Sequence, residues 1–226
     1  MKTISVTTTA MLRPELLIRT YDSFRRHLCD LDLSTIDLRI NIDPAPADRC
    51  SVSDVIDVAN KFFHSVDFRC PDVPNFSSAI NWLWSGATSQ FILHLEDDWE
   101  MLRRGSVTAM LDIFAGNPQL QQVRFLGPSQ CNTPRHIALS PGLIRRSFYS
   151  AVGGCLDETA NPETQIHEKQ RWPDWGVPVL DRCAALYTSK KGVRMVRDIG
   201  RAWSKSRGIT KQSPKSSFVR WTGSKG

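Results

Sequence analysis

Short apolar runs alternate with segments of helical periodicity over the first 126 residues of the chain. Runs that are rich in β-branched residues, or that alternate polar and apolar positions, predict strands over 4–9, 37–43, 65–69, 90–95 and 122–125. Apolar residues that recur every three or four positions predict helices over 16–28, 52–63, 77–85 and 106–114. This alternation predicts an α/β fold with a mostly parallel central sheet flanked by helices.

The pattern becomes irregular in the second half of the chain, because prolines and glycines interrupt it repeatedly. Two helices are predicted there, over 143–152 and 161–170. With 226 residues, of which 41% are hydrophobic, the chain can form one domain with a sizeable core. We expect this domain over 1–205, in two halves, 1–126 and 127–205, followed by a basic and flexible tail over 206–226.

The charge of the chain is unevenly distributed. Its net charge is +6, yet the segment 186–226 holds eleven Lys or Arg residues and a single acid, Asp198, a net charge of +10. The remainder of the chain is therefore mildly acidic. A basic end of this kind suits a phosphate-rich partner, such as nucleic acid, an anionic membrane surface or a nucleotide diphosphate. A solubilising tail is the alternative explanation.

The sequence also favours a cytoplasmic location. No apolar run approaches the roughly 18 residues of a membrane span, and the first residues lack the apolar region of a signal peptide. The six cysteines include no pair with CxxC spacing, which argues against a zinc ribbon or a redox motif. We expect reduced, mostly buried thiols.

The strand predicted over 90–95 ends in three consecutive carboxylates, Glu96, Asp97 and Asp98. Adjacent acids repel one another, and a divalent cation would neutralise them, because Mg²⁺ and Mn²⁺ prefer carboxylate oxygens. The carboxyl ends of strands are also where ligands bind in open α/β sheets. The simpler explanation is a solvated acidic turn. The motif therefore predicts a metal site at the carboxyl edge of the sheet, with that turn as the alternative.

These features together resemble GT-A fold glycosyltransferases, in particular inverting family 2-like members with an EDD-type DXD motif. The matching segments are 7–9 with 13–17, 41–43, 75–81, 95–98 and 153–158. The resemblance implies a GT-A (Rossmann-like) sheet, with a nucleotide-sugar-binding half over 1–126 and an irregular acceptor-side half over 127–205. It also implies inverting transfer of a sugar to a hydroxyl, a UDP-sugar as the favoured donor, and Mn²⁺ or Mg²⁺ as the cofactor.

The resemblance assigns roles residue by residue. The donor-binding candidates are Thr7, Thr8, Thr9, Arg13, Asp43, Asn75, Glu96 and Asp97, and Asp98 is the direct metal ligand. Hydroxyls and a guanidinium suit recognition of a base and phosphates, although threonines are also ordinary strand residues. Asp43 is expected to bind the base or ribose, or else it opens a turn before Pro44. Asp97 is expected to face the ribose or sugar, and Glu96 the base–ribose end.

Inverting transfer needs a general base that takes the proton of the acceptor hydroxyl. The family supplies a carboxylate from the acceptor side, which makes Glu163, Asp157 and Glu158 the candidates. Glu163 is preferred, because it stands at a predicted helix start near the position the family uses. Asp157 is alternatively expected to shape the sugar pocket. Each of the three has an equally simple explanation as an ordinary carboxylate at a helix start.

Two other functions stay open at this point. A sugar-phosphate nucleotidyltransferase also pairs carboxylates with Mg²⁺, but the loop after its first strand is glycine-rich, and this chain has no glycine there. A non-catalytic nucleic-acid-binding protein would explain the basic end but not the acidic motif, and no helix-turn-helix, zinc-finger or RRM signature is present. The acceptor is unknown. A polyanion such as hydroxymethylated, phage-type DNA is one candidate, and it predicts salt-sensitive DNA binding that is lost on deleting 206–226.

Overall fold

The computed structural model describes residues 4–45, 50–127, 137–151, 153–169, 184–212 and 220–222. The strands are β1 (Ile4–Met11), β2 (Asp37–Asp43), β3 (Ser65–Arg69), β4 (Phe91–Glu96), β5 (Trp99–Met101), β6 (Gln122–Phe125), β7 (Gly142–Arg145), β8 (Ala184–Tyr187), β9 (Val196–Asp198), β10 (Thr210–Gln212) and β11 (Arg220–Thr222). The helices are α1 (Pro14–His27), α2 (Val52–Asn60), α3 (Phe76–Ser85), α4 (Val107–Gly116), α5 (Arg146–Ala151), α6 (Pro162–Lys169) and α7 (Gly200–Ser206), with a short 3₁₀ turn over Leu33–Thr35.

Seven strands form the central sheet in the order β3-β2-β1-β4-β7-β6-β8. Neighbouring strands are parallel except around β7, which runs antiparallel to both β4 and β6. The predicted α/β class with a mostly parallel sheet is confirmed. The sheet extends beyond the first half of the chain, because β7 and β8 both come from the segment after residue 126.

Local sequence signals explain where the helices begin. Pro14 occupies the first turn of α1, where its missing N–H costs no hydrogen bond, and Glu15 follows it. Ser51 and Asp54 form a reciprocal capping box at the start of α2. Asn75 caps α3, because its side-chain oxygen accepts a hydrogen bond from the Ser78 N–H.

The helix predicted over 143–152 is wrong in its first part. Residues 142–145 form β7, and the helix α5 begins only at Arg146. A short apolar run does not distinguish a buried strand from a buried helix. The tertiary structure decides it, because β7 fits between β4 and β6 with Gly142 packed closely on β6. A Cβ at Gly142 would lie 2.8 Å from the Arg124 Cα.

Helices cover both faces of the sheet. One cluster of buried residues packs α1, α2 and α4 on the face that includes Leu93, and a second packs α3, α5 and α6 on the face that includes Ile92. Alternate residues of β4 thus enter different cores, as a strand buried on both faces requires. No described helix has the length and apolar composition that crossing a bilayer requires.

The C-terminal part returns to the first half of the chain. Strand β9 pairs antiparallel with β5, so that Asp198 lies opposite Trp99, and α7 follows directly. Strands β10 and β11 pair antiparallel inside the segment predicted as a flexible tail. The rest of that segment after residue 212, residues 213–219 and 223–226, lies outside the described residues. Cys29, Cys50, Cys70 and Cys155 are free thiols, but Cys29 and Cys155 are exposed and Cys50 and Cys70 are half-buried, so the prediction of mostly buried thiols is wrong for these four. Cys131 and Cys183 lie outside the described residues.

Candidate active site

The carboxyl ends of β1, β2 and β4 meet at one edge of the sheet. Strand β1 lies between the other two, with Thr9 opposite Glu96 of β4 and Met11 opposite Asp43 of β2. The loop after β1 therefore touches the acidic motif after β4, and the Met11 N–H donates a 2.9 Å hydrogen bond to Asp97 Oδ2. The topology thus brings the predicted nucleotide loop and the predicted metal motif together.

Arg13 joins two of the three carboxylates. Its Nε donates to Asp97 Oδ2 at 2.9 Å, and its Nη2 donates to Asp97 Oδ1 at 2.5 Å and to Asp98 Oδ2 at 3.0 Å. Burial by itself would lower the pKa of Arg13, but the charges of Asp97 and Asp98 outweigh it and raise the pKa. Arg13 is therefore a fixed cation that neutralises part of the acidic motif.

Asp97 is the most enclosed of the three acids. Its side chain is 3% exposed, and its two oxygens accept the three hydrogen bonds from Met11 and Arg13. Its backbone is also fixed, since the Thr20 hydroxyl donates to the Asp97 carbonyl at 2.8 Å. The carboxylate of Asp97 is thus held by hydrogen bonds within the protein, and its contact with the ribose or sugar stays a prediction.

Asp98 is partly exposed, with 21% of its side chain accessible, and Glu96 is half-buried as well. Burial raises the pKa of Asp98 to about 6, Arg13 opposes this shift, and the charges of Asp97 and Asp198 add to it. Glu96 accepts a 2.7 Å hydrogen bond from the Trp99 indole. Burial raises the pKa of Glu96 well above its ordinary value, and the charges of Asp98 and Glu163 raise it further.

Asp43 lies at the same edge, at the end of β2. Asn41 Nδ2 donates to its Oδ1 at 2.9 Å, and Asn41 in turn accepts a hydrogen bond from Arg69 Nε at 2.9 Å. Burial raises the pKa of Asp43 to about 6, the Asn41 hydrogen bond lowers it, Asp97 raises it and Arg69 lowers it. Asp43 and Arg69 are therefore linked through Asn41 at the same edge of the sheet as the acidic motif.

The loop over 153–160 is held against the start of α3. The Asn75 Nδ2 donates to the Glu158 carbonyl at 2.9 Å, and the Ser77 hydroxyl donates to the Ala160 carbonyl at 2.6 Å. Gln165 of α6 closes the loop, since it donates to the Asp157 carbonyl and accepts from the Asp157 N–H, both at 2.7 Å. Asn75 thus joins the loop over 153–160 to the start of α3, which it also caps.

The three candidate bases occupy different positions. Asp157 is exposed, and its Oδ1 accepts hydrogen bonds from the N–H and hydroxyl of Thr159 within its own turn. Glu158 is exposed. Burial lowers the pKa of Arg69, and the charges of Asp43 and Glu158 oppose that shift. Glu163, in the first turn of α6, accepts a 3.3 Å hydrogen bond from Leu139 N–H, and it is close enough to Glu96 to raise the pKa of Glu96. Glu163 is the candidate whose charge acts on the acidic motif.

The same architecture is found in solved glycosyltransferase structures. A structure of TarS from S. aureus superposes with a TM-score of 0.59 at 10% sequence identity, covering 87% of this chain and 36% of TarS. A structure of S. aureus TarS residues 1–349 with UDP-GlcNAc gives 0.56 at 8% identity, covering 85% of this chain and 58% of the other. The mannosyltransferase PcManGT from Pyrobaculum calidifontis, with GDP-Man and Mn²⁺, gives 0.60 at 10% identity, covering 90% and 59%.

The chain therefore has the GT-A fold. It spans between about a third and three fifths of the length of these structures. The sequence matches no protein-family model, and no curated protein is similar to it in sequence. At this level of identity the similarity establishes the GT-A fold, whereas the chemistry depends on the residues of the site.

Two of the predicted donor-binding residues lie in the core of the GT-A sheet. Thr7 and Thr8 are fully buried. The Thr7 hydroxyl is 3.0 Å from His94 Nδ1, and the Thr8 hydroxyl accepts a hydrogen bond from Tyr21. Thr9 is half-buried at the sheet edge, where its carbonyl accepts from Asp97 N–H at 3.1 Å. The structure therefore brings Thr9, but not Thr7 or Thr8, to the edge that carries the acids.

A C-terminal segment that was not among the predicted site residues contacts the acidic motif. The Ile199 N–H donates to the Asp98 carbonyl at 2.8 Å, and Asp198 contributes a second negative charge beside Asp98. The Trp203 indole N–H donates to Glu15 at 2.7 Å, and its ring lies 5.6 Å from the guanidinium carbon of Arg13. The segment is about a hundred residues from the acidic motif in sequence, so no local signal indicated it.

The donor set at Asp98 fits a divalent cation that is shared with a ligand. Among the residues that the structure describes, no group of three His, Cys, Asp or Glu side chains is arranged to hold a metal. Mg²⁺ is commonly bound by one or two carboxylates together with phosphate oxygens and water. Asp98, which is partly exposed and has a hard oxygen donor, matches this mode of binding.

Proposed function

We propose that this chain is a metal-dependent glycosyltransferase that moves a sugar from a nucleotide-sugar donor to a hydroxyl acceptor. The observation that carries the proposal is the clamp of Arg13 on Asp97 and Asp98 at the edge where β1 and β4 meet. Asp98 stays partly exposed beside the buried Arg13 cation, and this combination suits a divalent metal and a diphosphate. The GT-A fold supports the same conclusion.

The donor and the metal are proposed by analogy with the structural neighbours. TarS structures contain UDP or UDP-GlcNAc, and the PcManGT structure contains GDP-Man and Mn²⁺. We expect Mn²⁺ or Mg²⁺ in this chain, and a UDP-sugar as the favoured donor. Asp43 is the residue proposed to recognise the base or ribose, because its carboxylate lies at the end of β2 and is held there by the hydrogen bond from Asn41.

Asp98 would hold the cation, and a cation bound to the diphosphate supplies charge stabilisation for the departing nucleotide. Arg13 adds a permanent positive charge at the same place, and it keeps Asp97 ionised and fixed. Ile199 fixes the backbone of Asp98 from the opposite side. These residues therefore hold the metal-binding carboxylate in one position.

Glu163 is the proposed general base. In the inverting reaction, the acceptor oxygen forms a bond to the anomeric carbon while the bond from that carbon to the diphosphate oxygen breaks, and the electron pair leaves with the nucleotide. The proton of the acceptor hydroxyl passes to the carboxylate of Glu163. Asp157 and Glu158 are the weaker candidates. The Asp157 carboxylate accepts a hydrogen bond from Thr159 in its own turn, and the negative charge of Glu158 stabilises the charged form of Arg69.

We propose a polyanionic acceptor, of which hydroxymethylated, phage-type DNA is an example, and a cytoplasmic location. The net charge of +6 and the basic segment 186–226 support the acceptor class.

Two observations argue against a nucleotidyltransferase. The loop after β1 has no glycine, and it contains Arg13, which is bonded to the acidic motif. A purely nucleic-acid-binding function would leave the Arg13 clamp without a role.

Thermal unfolding against a panel of nucleotides and nucleotide sugars, with and without Mn²⁺, tests this proposal. A ligand at about 100 times its Kd stabilises the folded state by about 2.7 kcal/mol. We expect metal-dependent stabilisation by one nucleotide diphosphate or its sugar, and its loss in Asp98→Ala. Asp112→Ala, an exposed acid on α4, is the matched control and should keep the shift. No shift with any nucleotide would overturn the proposal.

A further inference from the structure

The described part of the basic C-terminal end divides into two groups of charges. The first group lies on and beside α7, and its arginines are paired with acids of the protein. Arg197 is 2.5 Å from Glu100, Arg201 is 2.8 Å from Asp198, and Arg207 is 3.1 Å from Glu15. The Arg197 and Arg207 pairs join the C-terminal segment to the first half of the chain, and the Arg201 pair lies within that segment. All three arginines already have an acidic partner, which makes them poor candidates for binding an external polyanion.

The second group lies on the turn between β8 and β9. Lys190, Lys191 and Arg194 are exposed. Within the described part of the chain, no carboxylate lies within 4.0 Å of any of the three. The turn is internally bonded, since the Thr188 hydroxyl donates to the Val193 carbonyl at 2.8 Å and Val193 N–H donates to the Lys190 carbonyl at 3.0 Å. Three cations without an acidic partner among the described residues are thus presented on an internally bonded turn.

The pairing of β5 with β9 brings the segment after β5, which carries two more cations, next to this turn. Leu102 N–H donates to the Met195 carbonyl at 2.7 Å. Because the two segments run antiparallel, Arg103 follows Leu102 on the side where Arg194 precedes Met195, and Arg104 comes next. Both are exposed, and neither has a described carboxylate within ion-pair distance. The acid nearby in the fold, Asp30, accepts hydrogen bonds from the first turn of α4. We call these five cations the basic turn surface: Arg103, Arg104, Lys190, Lys191 and Arg194.

The composition of this surface argues for a phosphate backbone and against a lipid bilayer. Peripheral membrane sites combine basic residues with exposed apolar side chains that enter the bilayer. The large exposed apolar residues among the described part of the chain are Ile18, Phe68 and Val73, which lie on α1, on β3 and in the loop before α3. The basic turn surface has cations alone, and its binding is therefore expected to be purely electrostatic.

We propose that the basic turn surface binds the phosphodiester backbone of nucleic acid. Five exposed arginines and lysines on two adjacent turns can each contact a phosphate, and the binding gains its free energy from released counterions. This backbone binding does not depend on sugar transfer. Its use as the docking surface of a DNA acceptor rests on the proposed glycosyltransferase function.

Binding of a fluorescent 20-base-pair DNA duplex to the full chain, titrated at several salt concentrations, tests the proposal. Five phosphate contacts predict a slope of about −4.5 in a plot of log K against log salt, because each contact contributes about −0.9. The triple variant Arg103→Ala, Arg104→Ala, Arg194→Ala should reduce the magnitude of that slope by about 2.7 and weaken binding. The control Arg19→Ala, Arg25→Ala, Arg26→Ala removes the same charge from α1, where each arginine is paired with an acid.

An unchanged slope in the control and a reduced slope in the surface variant would support the proposal. Equal losses in both variants would overturn it, because only net charge would then matter. Loss of binding in Lys211→Ala, Lys215→Ala, Lys225→Ala without loss in the surface variant would also overturn it and move the site to the tail. Binding to vesicles that contain phosphatidylserine as tightly as to the DNA duplex would overturn it as well. DNA binding without any nucleotide-sugar shift would leave this proposal standing and remove the glycosyltransferase proposal.

Discussion

Gly200, the first residue of α7, lies directly against the carboxylate of Asp98. A Cβ on Gly200 would be 2.7 Å from the Cγ of Asp98 and 2.9 Å from its Cβ, and closer still to Oδ2. Real Cβ atoms do not come this close to other atoms, so the position of the Asp98 side chain depends on the absence of a side chain at residue 200. The C-terminal segment therefore shapes the candidate metal site.

The first prediction concerns this contact. Gly200→Ala forces Asp98 to move, and overpacking of this kind costs about 1–3 kcal/mol of stability. We also expect a weaker Mn²⁺-dependent shift in thermal unfolding. The matched control is Gly116→Ala at the end of α4, where no atom lies within 4 Å of the added Cβ. In an Asp98→Ala background the cost of Gly200→Ala should fall by about 1 kcal/mol. Purely additive costs would contradict this coupling.

The second prediction concerns Arg13. Arg13→Ala leaves Asp97 and Asp98 without their cation, and removing one partner of a buried ion pair costs about 3–5 kcal/mol. Urea unfolding measures this cost. Arg26→Ala, which removes an exposed arginine paired with Asp22, should change the free energy of unfolding by less than about 1 kcal/mol. Equal effects of the two variants would mean that the clamp has no special role in stability.

The third prediction concerns the pH dependence of stability. Because the pKa of Asp43 in the folded state is about 6, above the ordinary value of an aspartate, the folded protein keeps a proton that the unfolded chain has already lost. This contribution is fully present below about pH 4 and is lost as the pH rises through about 6. The Tm of the wild type should therefore rise more between pH 7 and pH 5 than the Tm of Asp43→Asn.

Asp43→Asn keeps the oxygen that accepts the hydrogen bond from Asn41, so the comparison isolates the charge. The difference in stability is at most about 3 kcal/mol, since each pKa unit corresponds to 1.36 kcal/mol. Asp112→Asn, at an exposed position, should behave like the wild type. Parallel pH profiles for the wild type and Asp43→Asn would show that Asp43 titrates normally in the folded protein.

The fourth prediction concerns Glu163. Once a donor and an acceptor are known, Glu163→Gln should lower kcat by about 10²–10⁴-fold, the usual contribution of a general base, while the donor-induced thermal shift stays unchanged. Asp157→Asn and Glu158→Gln are the comparison variants, and each should reduce kcat less. If Glu158→Gln gave the largest loss, the base would be Glu158 and the position of Glu163 beside Glu96 would be structural.

The acidic motif is the part of the candidate site that could be predicted from the sequence. The apolar run before Glu96 predicted a buried strand, and the three acids after it predicted a site at its carboxyl end, because both signals are local. The signals that start α1 at Pro14 and cap α2 at Ser51 are local in the same way. The strand β7 was missed, because Leu143 and Ile144 form an apolar run that suits either element until β4 and β6 enclose it.

The sequence alone determined the α/β class, the order of the first strands and helices, and the place of the acidic motif. These follow from hydrophobic periodicity and chain punctuation, which act over a few residues. Only the tertiary structure decided that Arg13 binds Asp97 and Asp98, that Thr7 and Thr8 face the core, and that Gly200 contacts Asp98. Those relationships join residues that are far apart in the chain. They depend on strand order and on the β5–β9 pairing, which no local pattern encodes.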